Sequence, residues 1–225
     1  MITFNGKKDE EFGVVFDSFP LIKEGEKRVK EVIIAGRDEP LRVEDGSIGN
    51  SMATFSGHVI EKSWEDFLSW ISEPGKLIFD DSSKYYRNAT FSNISKQNIV
   101  DDLIYFTLGV SLSAYSYLIS GDTVKKGNSS VNLQNPTSYK SYPLIKIIGS
   151  GEIILSLNGK PKLTIKNVKD MVYIDSELDY VYSDTGSMDN LSIGNVPVLN
   201  PGDNYITLKG TVSSIEITPR WRTRL

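Results

Sequence analysis

A mainly β fold in two domains with one short α-helix is the class this sequence predicts, and three observations carry it. Residues 103–118 alternate apolar and polar side chains, Asn158-Gly159 divides two alternating runs, and helical spacing occurs with clarity only over 63–72. With 225 residues, 39% of them hydrophobic and 24% charged, the chain has the balance of a globular protein and the length for two cores.

Taken in order, Phe4 to Phe19 reads as paired β elements around an Asn5-Gly6-Lys7 turn, with an apolar run from Phe12 to Phe16 closed by Pro20. Lys27 to Asp38 and Leu41 to Asp45 read as two strands joined by a charged turn, and Met52 to Ile60 as another, carrying the lone His58. In Ser63 to Ser72, Trp64, Phe67, Leu68 and Ile71 recur on one helical face. Ser63 with Asp66 has the spacing of a capping box, and Pro74-Gly75 stops the helix. Gly75 to Thr90 follows as strand, acidic turn and strand.

The run Leu103 to Leu118 has a period of two, with Ile104, Phe106, Leu108, Val110, Leu112 and Ala114 on one face. It is long for one strand, which predicts a bend or bulge near Gly109. A bilayer helix needs about 20 apolar residues without polar alternation, so no membrane insertion is expected. Residues 120–142, rich in Gly, Asn, Ser and Pro, read as a linker.

Beyond it lies the hairpin Ile145 to Ile165. A two-residue Asn158-Gly159 loop would set Leu157 opposite Lys160 and Leu155 opposite Lys162. A three-residue loop, Leu157 to Gly159, faces Leu155 with Pro161 and Ile153 with Leu163, and is the expectation. Strands at Met171 to Asp175 and Tyr205 to Lys209, a polar loop at Asp179 to Asn190 and a turn at Asn200 to Asn204 follow. The end alternates again, with Ile215, Ile217, Pro219 and Trp221 on one face.

Charge and composition exclude several function classes. The formal net charge is −4, and residues 1–136 hold 15 basic and 20 acidic side chains against 10 and 9 in the remainder, so neither part is a nucleic-acid platform. With no cysteine and one histidine, thiol chemistry, cysteine-ligated metals and multi-histidine metal sites within one chain are excluded. No cofactor and no metal site are expected. The opening MITFNGKKDEEFG lacks the basic start and apolar core of a signal peptide, which predicts folding in the cytoplasm.

The order of several segments resembles the distal tail protein family of long-tailed phages that infect Gram-positive bacteria, and of related prophage and tail-like elements. They are MITFNGK, EVIIAGRDEPLRVEDG, PLIKIIGSGEIILSLNGK, IDSE at Ile174 to Glu177, NPGDN and ITPRWRTRL. The chain departs from the family's usual PGRDG at Ala35 and Glu39. The resemblance implies an N-terminal ring-forming domain, a split β-barrel or sandwich with one short helix, over 1–135. It implies a galectin-like β-sandwich over 141–213, with the last strand, about 214–225, returning to the first domain. It further implies a non-enzymatic baseplate protein at the virion tail tip, assembled in the host cytoplasm. This protein would form a ring, a homo-hexamer, that joins the tail tube to the tail-tip hub and serves as a platform for host-binding, receptor-binding proteins.

Candidate interface residues are Tyr105, Tyr115 and Tyr117, whose amphipathic rings suit half-buried protein surfaces, and Arg220, Trp221 and Arg222 at the end of the chain. The tyrosines could equally line the second face of their own sheet, and the arginines could pair with acidic neighbours within the chain. Two other functions compete. A carbohydrate-binding β-sandwich would use aromatic rings and polar loops. An aspartic-type protease is raised by Asp184-Thr185-Gly186, but it needs two such aspartates sharing a proton and one copy is present. No catalytic partner is assignable to His58. The acidic pairs Asp80-Asp81 and Asp101-Asp102 and the stretch Asp175 to Asp179 lack calcium-loop spacing. Gly149-Ser150-Gly151 precedes a strand and so lacks the helix of a phosphate loop.

Overall fold

Two compact units organise the chain, Met1–Ser116 with Arg224, and Tyr117–Thr223. The computed structural model describes residues 1–100 and 102–224; Asp101, Leu225 and the side chains of Asp45, Asp81, Asn98, Ile99 and Val100 lie outside the described residues. The first unit holds β1 (Ile2–Phe4), β2 (Lys7–Lys8), β3 (Val14–Phe16), β4 (Lys27–Val32), β5 (Leu41–Ile48) and β6 (Ser51–Ile60). Next come α1 (Trp64–Ile71), β7 (Gly75–Phe79), β8 (Tyr85–Val100) and β9 (Leu103–Leu112). Most of these form one antiparallel curled sheet in the order β2-β1-β7-β8-β9-β6-β3, while β4 and β5 pair only with each other.

The alternation of 103–112 is realised as drawn: Ile104, Phe106, Leu108, Val110 and Leu112 are all buried. They meet Phe4, Phe55, Leu77 and the Phe67 face of α1 in one core. β9 and β6 pair without interruption from Ser51↔Leu112 to Ile60↔Leu103, so Gly109 carries no bulge. The bulge is instead on β8 across from it, where the register passes from Ser92↔Gly109 to Ser95↔Thr107 and Asn93 takes φ +52°. The run also stops at Leu112, and β10 (Ser116–Leu118) is a separate strand. Ser63 makes no side-chain cap, because it ends a 3-10 turn over Glu61–Ser63 that already leads into the helix. Trp70 joins Phe67 and Ile71 on the buried face and donates its indole N–H to the Phe4 carbonyl at 3.0 Å.

The second unit contains β11 (Lys125–Gly127), β12 (Ser130–Asn135), β13 (Leu144–Leu157), β14 (Lys160–Val168) and β15 (Met171–Asp175). It continues with β16 (Tyr180–Ser183), β17 (Gly186–Ser187), β18 (Ser192–Gly194), β19 (Gly202–Thr218) and β20 (Arg222–Thr223). Two long strands organise it. The first half of β13 pairs with β15 and the end of β19; its second half pairs with β14 and the start of β19. Both strands turn where their register shifts between Ser150 and Ile154. Glycine makes the bend possible. A side chain at Gly149 would collide with the Thr211 carbonyl, and one at Gly210, whose φ is +121°, with that of Glu152. The two halves fold over a shared core of Ile145, Ile147, Ile153, Leu155, Ile165, Ile206, Ile215 and Ile217, which makes a β-sandwich.

The Asn158-Gly159 loop has two residues, not three: Leu157 pairs with Lys160, and Asn158 and Gly159 take φ of +51° and +77°. Parity is restored by a bulge after Pro161, which has no N–H to give the ladder, so Ser156 faces Pro161 while Leu155 faces Leu163 and Ile153 faces Ile165. The stretch read as a linker, 120–142, supplies β11 and β12 to the second unit, and the units divide at Ser116/Tyr117. β19 runs unbroken to Thr218 and pairs with β13 and β11, so the apolar face of Ile215, Ile217, Pro219 and Trp221 is covered by its own sandwich, while the short last strand β20 pairs with β10 of the first sheet.

Candidate interaction surface

The β4–β5 hairpin is the most exposed regular structure in the first unit. Every residue of β4 is exposed, as are Leu41 to Glu44 of β5. Cross-strand pairing sets Lys30 opposite Val43 and Val32 opposite Leu41 on one face. On the other face Arg42 Nε donates to Glu31 at 3.0 Å, and Lys27 Nζ to Glu44 at 3.0 Å. The apolar side chains remain uncovered: Leu41 is 43% exposed, Val43 45%, and Ile33 at the tip 87%. Two strands alone are marginal in water, and an apolar hairpin face without a cover is the signature of a contact surface. Phe19 and Leu21, also exposed, add to the apolar surface of the same unit.

The candidate interface residues fall in different environments. Tyr105 lies on the outer face of β9 beside His58, with ring centroids 5.5 Å apart, and is 37% exposed. Tyr115 is half-buried in the turn after β9. Tyr117 and Trp221 are buried in the second unit, so they are not surface residues. Arg220 is committed internally as well. Its guanidinium donates to both carboxylate oxygens of Asp175, at 2.7 and 3.0 Å, and lies 3.3 Å from Glu177. Glu177 accepts the Tyr117 hydroxyl at 2.9 Å. Arg222 packs its guanidinium over the Tyr142 ring and donates to the Lys140 carbonyl at 2.8 Å.

This network joins the IDSE and ITPRWR segments, which sequence order keeps apart. Burial of Asp175 opposes its ionisation, but the two Arg220 hydrogen bonds, the arginine charge and the Glu177 and Leu178 backbone N–H groups outweigh it and hold the carboxyl below the usual carboxylate range. Burial, reinforced by Glu177, pushes the Tyr117 phenol well above its ordinary value. Arg220 occupies the left-handed region at φ +55°, and its N–H donates to the Gly121 carbonyl at 2.9 Å. The arrangement locks the end of the sandwich and leaves no free charge for a partner at Asp175.

Other sequence candidates have no constellation around them. Asp184 sits exposed in the β16–β17 turn, where the Ser183 and Thr185 hydroxyls bond each other at 2.9 Å. His58 Nδ1 lies 3.8 Å from Asp17. Among the described residues no group of three or more His, Asp or Glu side chains is placed to hold a metal ion, and no helix is long and apolar enough to cross a membrane. On the outer face of the sandwich Tyr173, Tyr182 and Tyr180 stack on one another at 5.1 and 5.5 Å, with Lys146 over Tyr173. Ring faces turned toward each other are poor platforms for a flat ligand.

No family model matches the chain, and no curated protein matches it. Among solved structures it is similar to the SPP1 Dit protein, described as a paradigm of the hub adsorption apparatus in phages that infect Gram-positive bacteria. The likeness covers 97% of each chain, with a TM-score of 0.61 and 13% sequence identity. The fold is therefore similar to that of the SPP1 Dit protein over 97% of the chain.

Proposed function

We propose that this chain is a structural protein of a phage tail tip, forming a ring that joins the tail tube to the tail-tip hub and carries host-binding proteins. The observation that supports this reading is the end-to-end likeness of fold to the SPP1 Dit protein. The first unit supplies the ring contact: the β4–β5 hairpin, bare in a single chain, packs its Val32, Leu41 and Val43 face on a second copy. Such head-to-tail contacts close into a ring when the rotation per subunit divides a full turn. The role is non-enzymatic, and its place is the virion tail, assembled in the bacterial cytoplasm.

Of the six interface candidates, this reading keeps Tyr105 as a surface residue of the first unit and drops Tyr117, Arg220 and Trp221. Mass by light scattering with negative-stain imaging tests it, and a ring of about six chains is the expected result. A chain that stays monomeric over the accessible concentration range, alone and with its tube and hub neighbours, contradicts it.

A further inference from the structure

We propose that β12 is an open docking edge for an extended segment of another protein, one that alternates apolar and uncharged polar residues and is acidic at both ends. This goes beyond the ring reading and does not need it. The Leu208 N–H donates to the Ser129 carbonyl at 2.8 Å, which fixes the phase of the β12–β19 ladder. The register then runs unshifted from Ser130↔Thr207 to Asn135↔Gly202. The backbone groups of Val131, Leu133 and Asn135 therefore turn toward β19, and those of Ser130, Asn132 and Gln134 turn away from it. Among the described residues no strand pairs with that outer side of β12, and no hydrogen bond reaches those three backbones.

Sheet edges are normally blunted by shortness, charge, proline or a bulge. In this chain β2, β17 and β20 have two residues each, and β3, β11 and β18 have three. The exposed strand β4 carries Lys27, Arg28, Lys30 and Glu31. β12 has none of these protections: it is six residues long, without charge, proline or register shift. Its three outward N–H groups and three outward C=O groups form a straight template about 20 Å long. An extended strand is the ligand whose own backbone satisfies all six at once.

Side chains define the partner further. Val131 and Leu133 are buried at the margin of the core, while Ser130, Asn132 and Gln134 are exposed. A strand laid along β12 continues both faces, so it sets apolar side chains beside the first pair and uncharged polar ones beside the second group. Lysines flank the edge, Lys125 before it and Lys140 after it. Both are exposed and, among the described residues, neither has an ion-pair partner. Asp203 stands opposite Gln134 on β19, one strand further from the open side. The flanking charge favours acidic ends on the partner. It also opposes a second copy, since two-fold antiparallel pairing of β12 with itself brings Lys125 of one chain toward Lys140 of the other.

The test uses the full chain and a labelled synthetic peptide, Asp-Asp-Thr-Val-Thr-Val-Thr-Asp-Asp, with a counterpart whose aspartates are lysines. Fluorescence anisotropy gives the affinity, and hydrogen exchange resolved by residue gives the site. Without peptide, the amides of Val131, Leu133 and Asn135 should exchange slowly and those of Ser130, Asn132 and Gln134 fast. At ten times its Kd the acidic peptide should slow the second set about tenfold. Asn132→Pro removes an outward N–H that has no partner in the chain, so it should leave thermal unfolding unchanged and weaken binding roughly tenfold or more. If that variant unfolds, Lys125→Glu/Lys140→Glu replaces it and should reverse the preference between the two peptides. The proposal is overturned by absence of saturable binding, by binding that leaves the three amides unprotected, or by a preference of the native chain for the lysine peptide. Protection of the same amides that rises with protein concentration alone assigns the edge to a second copy and also overturns it. Binding is read per chain, so failure to form a ring leaves the test intact.

Discussion

In the β13–β14 hairpin Ile153, Leu155, Leu163 and Ile165 are at most 3% exposed, whereas in the β4–β5 hairpin Val32, Leu41 and Val43 keep 37–45% of their surface. Both hairpins are rich in β-branched residues with charged neighbours. The difference lies in what stands opposite. β13 has β19 and β15 beside it and the far half of the sandwich above it, while β4 and β5 have only each other. The first hairpin is covered within its own unit; the second leaves its apolar face exposed, and that is the face the proposed ring contact would cover.

The largest effect should come from breaking the lock beneath the sandwich. Arg220→Ala leaves Asp175 and Glu177 without their cation and is expected to cost the second unit about 3–5 kcal/mol. Denaturant unfolding followed by Trp221 fluorescence, in a chain whose Trp64 and Trp70 are replaced by Phe, should show it. Leu155→Ala is expected to cost about 2–5 kcal/mol by the same measurement, while Val43→Ala, its counterpart in the exposed hairpin, stays within about 0.5 kcal/mol. Equal costs for the two would erase the contrast drawn above.

The lock also sets a pH dependence with two limbs. Because Asp175 is held below its unfolded value, its contribution is present above about pH 4 and is lost as pH falls below that. Tyr117 has a raised value, so its contribution is complete below about pH 10 and is lost as pH rises further. Asp175→Asn should flatten the acid limb and Tyr117→Phe the alkaline one in hydrogen exchange of the 215–221 amides.

A smaller effect concerns the two Asn-Gly turns. Asn158 donates its N–H to the Tyr205 carbonyl at 2.8 Å and accepts the Tyr205 N–H on Oδ1 at 2.7 Å. Asn5 does the same with Lys76, at 3.0 Å in both directions. In each case a turn side chain imitates a backbone carbonyl and extends the ladder to a neighbouring strand. Asn158→Gly keeps the left-handed turn but loses that bond, for about 1 kcal/mol in thermal unfolding.

Local patterning was legible and long-range pairing was not. The period of two in 103–112 gave the buried face residue by residue, because a half-buried strand leaves no other solution. Asn158-Gly159 located its turn, but the register depended on a bulge beside Pro161 that parity alone could not separate from a longer loop. Trp70 stood three residues after Phe67 and was readable as part of the helix face; its polar N–H obscured that. Val131, Leu133 and Asn135 alternate within the Gly- and Asn-rich stretch, and all three are buried in β12. The signal was there but short. Nothing in the sequence joins Asp175 to Arg220, since a buried ion pair across 45 residues is a product of the sandwich itself.

The central claim is that the β4–β5 hairpin packs on a second copy. Solution mass of the full chain beside the Val32→Glu/Val43→Glu variant tests it most directly. The account predicts a ring for the native chain and a monomer for the variant with unchanged unfolding of both units. A variant that assembles as well as the native chain, or a native chain that never assembles, would contradict it.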